Sequence, residues 1–492
     1  SASPSSGFTR MGISSTYFAA WLLPALAGGG AWLALNGRDR SAGDAASAIG
    51  AGWLIGIVVA AECARLAAQE HANQAFAVAW PWLAGFGALA WIAAFARLRP
   101  LAWPGRLSSS PSSATMRLAW WLLLLWIVLR FHSLGDEASL RPVFPWDAWS
   151  AWAIKAKTWF LAGRVEPYVS MLDWLAHPDA ALRTAASWNY PELLAWIELW
   201  FAGGAMAWNE PLVDLAWCGA LAAFALAAYG YWRALDLAPW LALVLVYALV
   251  SLPLIDAHVA LAGYADLWIA VTLGLASLAW ARWLIRRERG QWVLAIAAAL
   301  CLPAIKLEGR IWLFVFALFV LVDAVPLRRR SRMIAGIAVL VALAGVALVA
   351  AGAVVIHGNR IGVPSIGTFE LAWHGVGGAL AASLFTLPNW HLFWYLVPLL
   401  IVLRRQRFRD DPAARSLGLM LLIDFALLLA LFFLTGASAW AEDFTSANRL
   451  ILQLVPSVVA LAAVLLRPMD ERAATVADRR TAQATPAPRV RA

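Results

Sequence analysis

Residues 264–289 read YADLWIAVTLGLASLAWARWLIRRER. An acid, Asp266, stands at one end of a long apolar run, and Arg286, Arg287 and Arg289 close the other. A membrane-spanning helix needs about 20 mostly apolar residues. Basic residues gather on the cytoplasmic side of such helices. The stretch therefore reads as an oriented span over 264–285, with Asp266 outside and the arginines inside.

The rest of the chain follows this pattern. Of its 492 residues, 62% are hydrophobic and only 14% charged, with a mean hydropathy of +0.71. Soluble chains are roughly 45–50% apolar and about 25% charged. That gap excludes a soluble globular enzyme, a disordered protein and a nucleic-acid-binding domain. Cys63, Cys218 and Cys301 lie in apolar runs, so neither a disulfide framework nor a paired zinc motif is present in the sequence. In lipid every backbone polar group must be satisfied internally, which leaves helices or closed barrels. The expected fold class is an all-α polytopic transmembrane protein.

Apolar runs give about 13 spans, near 13–36, 47–69, 76–97, 117–131, 212–233, 240–256, 264–285, 291–305, 311–325, 333–356, 389–404, 416–436 and 448–467. Strict alternation puts the arginine clusters at 38–40, 97–106, 233, 286–289, 328–332 and 404–409 on one face, the cytoplasmic one. The N-terminus is then external, and residues 1–12 show no cleavable leader pattern. Residues 191–207, which carry Glu192 and Glu198, break the alternation and read as an interfacial or re-entrant helix. The expected organisation is a three-helix bundle over 1–100, a cytoplasmic linker over 101–116, a module over 117–467 with a large external loop at 132–190, and a disordered tail over 468–492.

The chain holds a net charge of +9, and only three of its 38 basic residues are lysines: Lys155, Lys157 and Lys306. A strong arginine bias makes each surviving lysine a chemical choice, since ammonium and guanidinium are not interchangeable. All three map to the external face. Lys155 and Lys157 lie in PWDAWSAWAIKAKTWFL (145–161), which Asp147 opens. This segment has the Trp and Lys content of a helix lying in the headgroup region. Its plainer reading makes Asp147 an N-cap and the lysines lipid anchors. Asp266, Lys306, Glu308 and Arg449 also stand at external helix ends, where they can converge on one water-filled cavity. The seven histidines show neither HxxxH nor HExxH spacing, so no metal site is assigned. No phosphate-loop or dinucleotide-binding pattern appears.

Five short elements, in this order, resemble the polytopic glycosyltransferases of the GT-C fold, among them bacterial relatives of the protein O-mannosyltransferases and the lipid A aminoarabinose transferases. They are Pro-Trp-Asp-Ala-Trp (145–149) with Ala-Lys (156–157), Asn-Tyr-Pro-Glu-Leu (189–193), Tyr-Ala-Asp-Leu (264–267), Lys-Leu-Glu-Gly (306–309) and Asn-Arg-Leu (448–450). The resemblance covers roughly 117–467, and the three helices before it depart from the simplest family plan. It implies inverting transfer of a sugar from a polyprenyl-phosphate donor to a glycolipid, polysaccharide or protein on the periplasmic face of a bacterial inner membrane. It leaves a divalent cation open, since some members need one.

In such chemistry cations stabilise charge developing on the leaving phosphate. Lys155, Lys157, Lys306 and Arg449 are the candidates. A carboxylate must take the acceptor's proton. Asp147 is favoured, with Asp136 and Glu137 as rivals because they lie soon after the span ending at 131, where several family members carry their acid. Asp266 and Glu308 either orient the acceptor or hold a lysine. Tyr190, Glu192 and Tyr264 fall in the remaining elements, the first two closing the site. Trp146, Trp149 and Trp152 either stack on a sugar or prenyl chain or anchor the segment at the interface. Three rivals remain: a polysaccharide ligase or polymerase, a transporter or flippase of a lipid-linked sugar, and a structural membrane subunit whose external helix only anchors it. A transporter places its charges near the midplane, whereas here they gather at one face.

Overall fold

The computed structural model describes residues 14–36, 41, 43–97, 113–178, 180–325, scattered positions between 329 and 351, and 355–363 and 367–468. Residues 101–112 of the expected linker, the tail beyond 468 and most of the expected span at 333–356 lie outside the described residues, while 114–116 already belong to a helix.

The protein is predominantly helical. The helices are α1 (Ser15–Asn36), α2 (Asp44–Ala67), α3 (Ala75–Arg97), α4 (Ala114–Leu140), α5 (Ile154–Ala162), α6 (Met171–Ala176), α7 (Leu193–Ala205), α8 (Glu210–Ala234), α9 (Pro239–Val250), α10 (Pro253–Ala260), α11 (Ala265–Arg286), α12 (Arg289–Ile305) and α13 (Gly309–Ala324). They continue with α14 (Gly377–Ala381), α15 (Phe393–Leu403), α16 (Arg407–Asp410), α17 (Pro412–Leu434), α18 (Ser438–Glu442) and α19 (Ser446–Leu466). Among the described residues eight helices are long and apolar enough to cross a membrane, or nine if the bent pair α9–α10 counts as one. Other expected spans are shorter: α12 has 17 residues, α13 has 16 and α15 has 11. An all-α chain was expected, yet β1 (Val355–His357), β2 (Arg360–Val363) and β3 (Gly367–Glu370) form a small antiparallel sheet in the order β1-β2-β3.

Burial orders the bundle. The most apolar stretches of α11 and α19 are each 89% buried, against 11% for α4. α11 and α19 pack against each other at the centre, and α4 lies at the rim with Trp121, Leu125 and Trp126 exposed. Helices α1–α3 are not a body apart. α2 packs along α8 as well as α1, with Gly28, Gly52 and Gly56 letting the α1 and α2 backbones meet. Buried Arg282 of α11 donates to Asp44 at the start of α2 (2.7 Å) and to Glu288 (2.7 Å).

Three local departures from the sequence reading shape the site. First, α4 runs on past the apolar residues to Leu140, where Arg141 precedes Pro142 and leaves the helical region. The residues at 132–140 that were expected to begin the external loop are therefore helical. Second, the expected span at 240–256 breaks. Leu252 precedes Pro253 and is extended, and α9 and α10 meet at 63°. Third, of the two readings of residues 191–207 the interfacial one is excluded, since every residue of α7 from Leu193 to Gly204 is buried among α1, α2, α3 and α8, and the helix is a short interior one of 13 residues.

Gly263 links α10 to α11 with φ +105°, a conformation that costs L-residues energy. A Cβ there would also lie 2.5 Å from that of Ala148. The missing side chain lets the 145–149 segment dock against the start of α11. Gly263→Ala should cost about 2–4 kcal/mol through positive φ and overpacking together. A fall in thermal midpoint accompanied by a shift of residues 145–149 checks this, and an unchanged midpoint would count against the packing argument.

Candidate functional site

An ion cluster lies where the N-terminal ends of α11 and α19 meet the α12–α13 turn and the 145–149 segment. Asp266 is fully buried and is its hub. Its Oδ1 accepts from Lys306 Nζ (2.9 Å) and Gln453 Nε2 (2.6 Å). Its Oδ2 accepts from Arg449 Nε (2.9 Å) and Nη2 (2.8 Å). Arg449 Nη1 reaches on to Asp147 Oδ2, and the guanidinium lies 4.2 Å from the centre of the Tyr264 ring. Lys306 also meets Glu308 Oε1 at 3.1 Å. Trp312 Nε1 donates to Gln453 Oε1 (2.6 Å), which turns the glutamine amine toward Asp266.

Local sequence explains the placement. Arg449 and Gln453 are four residues apart and so share one face of α19. Pro145 supports a turn in which its carbonyl accepts from Ala148 N and Trp149 N, and the chain then winds as a π-helical turn over Ala148–Ala153. Such turns recur at functional sites. Asp147 opens it but makes no side-chain capping bond, because its carboxylate is turned to Arg449 instead.

The cluster has three carboxylates and two cations, so both cations are already paired. Taking such groups out of water is costly unless pairing and hydrogen bonding are complete. For Asp266 they are, with four donor contacts on two oxygens. Burial disfavours the Lys306 ammonium, but the Asp266 and Glu308 carboxylates outweigh it and hold its pKa above the ordinary lysine value. Glu308 keeps one buried oxygen, Oε2, without a hydrogen bond among the described residues. Asp147 is 42% exposed and projects into a cavity of about 510 Å³, lined also by His258, Tyr264, Asn389, Asn448 and Arg449.

An apolar groove of about 300 Å³ lies beside it at the α9–α10 bend. Leu252, Trp390, Leu396, Val397 and Val459 line it. The two spaces are neighbours through adjacent residues. Leu254 and Asn389 face the polar cavity, Leu252 and Trp390 face the groove, and Leu254 N donates to the Asn389 carbonyl (3.2 Å). Residues flanking the proline break thus line both the polar chamber and the apolar slot.

The cluster gathers Asp147, Tyr264, Asp266, Lys306, Glu308 and Arg449. Of the two roles open to Asp266 and Glu308, both hold the lysine here. Several other candidates lie elsewhere. Asp136 and Glu137 project from the exposed end of α4, where they meet His132 (3.5 Å) and Arg141 (2.9 Å) of the same helix segment. Lys157 is half-exposed and pairs with Glu210 at 2.7 Å. Lys155 is buried but does not face the cluster. Its ammonium donates to the carbonyls of Trp188 (3.0 Å) and Tyr190 (2.7 Å), and burial pulls its pKa below the ordinary value. Trp152 is interior and packs 5.5 Å from Tyr190, so its ring presents no face to a sugar, while Trp149 is exposed against Trp146. Tyr190 is within electrostatic reach of Glu308, Lys306, Asp147 and Arg449, and Glu192 lines a second cavity near it.

The sequence reading missed Gln453, quoted Asn448 only within the Asn-Arg-Leu element and weighed His258 only as a metal ligand. Gln453 carried a usable signal, a polar residue one turn after Arg449 inside an apolar run. It also missed Asp214 and Asp424, carboxylates buried within the helices, and placed Glu198 in an interfacial or re-entrant segment. Glu198, Asp214 and Asp424 are buried, and each has an oxygen without a hydrogen bond among the described residues. The charges are therefore not confined to one face of the bundle. Among the described residues no group of three His, Cys, Asp or Glu side chains is placed to hold a metal ion. Comparison with protein-family models, curated proteins and solved structures gave no match to this chain.

Proposed function

We propose that the protein is a membrane glycosyltransferase that moves a sugar from a polyprenyl-phosphate donor to a hydroxyl acceptor at the periplasmic face of a bacterial inner membrane. The observation that carries this reading is the polar chamber holding Asp147 and Arg449 beside the apolar slot at the α9–α10 bend. A sugar-phosphate lipid has the matching division. Its prenyl chain needs an apolar surface and its phosphate needs a cation at the boundary.

In the reaction the acceptor oxygen attacks the anomeric carbon. The bond from that carbon to the phosphate oxygen breaks, and its electron pair leaves with the phosphate. The acceptor proton passes to a carboxylate. The donor phosphate competes with Asp147 for Arg449 Nη1, and the released Asp147 becomes the base. Asp266, itself held by Lys306 and Gln453, holds Arg449 in place from behind. Developing negative charge beside the fixed guanidinium is stabilised without reorganisation.

The test is transfer of radiolabelled sugar from polyprenyl-phosphate donors by the full-length protein in bilayers. Expected are transfer and its loss in Arg449→Gln at equal protein level. An absence of transfer with every donor, or full transfer by Arg449→Gln, overturns the reading. The three buried carboxylates favour a second reading, a proton-coupled flippase for the same lipid. It predicts movement of a fluorescent donor lipid between leaflets without loss of its sugar, abolished by Asp424→Asn.

A further inference from the structure

A second cavity of about 480 Å³ stands apart from the chamber and shares none of its lining residues. We propose that it is a saccharide-binding site, and that it takes the acceptor glycan. The second half of this statement rests on the transferase reading above.

Three aromatic side chains, Tyr168, Trp188 and Tyr190, and three charged ones, Glu62, Arg65 and Glu192, line it. That mixture suits a sugar. Ring C–H faces pack on aromatic surfaces, while carboxylates accept from hydroxyls and a guanidinium donates to them. Two carboxylates against one arginine disfavour an anion such as phosphate. The charged walls disfavour a lipid tail, for which the α9–α10 slot is the better match.

The walls are fixed in advance. Lys155 spends its ammonium on the carbonyls of Trp188 and Tyr190, and the Tyr190 ring packs on Trp152. Trp188 N and Tyr190 N close turns onto the Ala185 (3.1 Å) and Ser187 (3.0 Å) carbonyls. Arg65 Nε is oriented by Glu62 at 2.7 Å. A site whose polar groups are already ordered loses less on binding.

The wall of this cavity nevertheless connects along the chain to the ion cluster. Ala304 in its wall is two residues before Lys306, and Tyr190 is within electrostatic reach of Lys306, Glu308, Asp147 and Arg449. A glycan held here can present one hydroxyl past Tyr190 toward Asp147. Glu62 and Arg65 belong to α2, so the three N-terminal helices contribute directly to acceptor recognition.

The test uses full-length protein in bilayer nanodiscs with a panel of hexose, heptose and pentose oligosaccharides, read by saturation-transfer NMR. At least one member should bind, and Trp188→Ala and the double variant Glu62→Gln/Arg65→Gln should each weaken it about tenfold. Both changes fall at half-exposed positions, so folding is preserved, which thermal unfolding checks. With that sugar as acceptor, the same variants should raise KM about tenfold while kcat stays within about twofold. Binding by no panel member, or binding indifferent to both variants, overturns the saccharide site. Transfer with unchanged acceptor KM in the variants overturns the acceptor role and leaves the transferase reading standing. Variant-sensitive binding without transfer by any form of the protein upholds the saccharide site and removes both its acceptor role and the transferase reading.

Discussion

Asp147→Asn should lower sugar transfer by about 10²–10⁴-fold, the usual contribution of a positioned general base. The substitution keeps the side chain's shape, and its carbonyl oxygen still accepts from Arg449. What it loses is the ability to take a proton. Because Asp147 occupies Arg449 Nη1 in this structure, removing its charge also removes a competitor for that donor. Affinity for a non-transferable polyprenyl phosphate should therefore hold or rise. Two readouts in opposite directions separate a base from a structural anchor. An anchor would lose binding and stability together, and retained transfer would eliminate Asp147 as the base. Asp136→Asn is the control. Asp136 lies on exposed α4 beside His132, and its substitution should leave transfer within about twofold. The control also decides between Asp147 and Asp136, two of the three carboxylates left open by the sequence.

Asp266→Ala should destabilise the protein by about 3–5 kcal/mol, the cost of leaving buried charges without their partner. Asp266 is fully buried and receives Lys306, Arg449 and Gln453 at once. Without it, two cations face each other across the same space. The measurement is the unfolding midpoint of the detergent-solubilised protein, with a loss under about 1 kcal/mol contradicting the account. The informative partner is a cycle with Lys306→Met. Lys306→Met alone also destabilises, but in the Asp266→Asn background it should cost less, since the charge it removes no longer has its counterion. Strict additivity would mean that Lys306 and Asp266 do not share the energy their geometry implies. Glu308 adds a second check. Removing it frees Lys306 of one carboxylate while leaving Asp266 in place, so the expected loss is smaller than for Asp266.

Much of this was legible because lipid is a demanding solvent. Runs such as 212–233, 264–285 and 448–467 declare themselves as helices, and the observed α8, α11 and α19 match them to within two residues at each end. The breaks were harder to read. The α9–α10 bend depends on Pro253 and the extended Leu252. The prolines inside α1, α3 and α12 leave those helices continuous, so a proline alone does not announce a break. The end of α4 was misjudged because hydropathy reports where lipid ends, whereas the helix stops at Arg141–Pro142. The burial of α7 was also illegible. An apolar helix of 13 residues reads the same whether its neighbours are lipid or protein.

The sequence by itself determined the helical class, the positions of the long apolar helices and the short list of charges from which a site could be built. It did so because hydropathy and charge are properties of each residue, whatever it touches. Only the tertiary structure decided which charges are partners. Lys155 and Lys157 sit two residues apart in one motif, yet one turns to backbone carbonyls and the other to Glu210, while Asp147 and Arg449, 302 residues apart, meet. The direction of each side chain on its helix, the open backbone at Gly263 and the break at Pro253 made that choice. Pairing is a property of distance and orientation, and these arise only when α11 and α19 pack at the centre of the bundle.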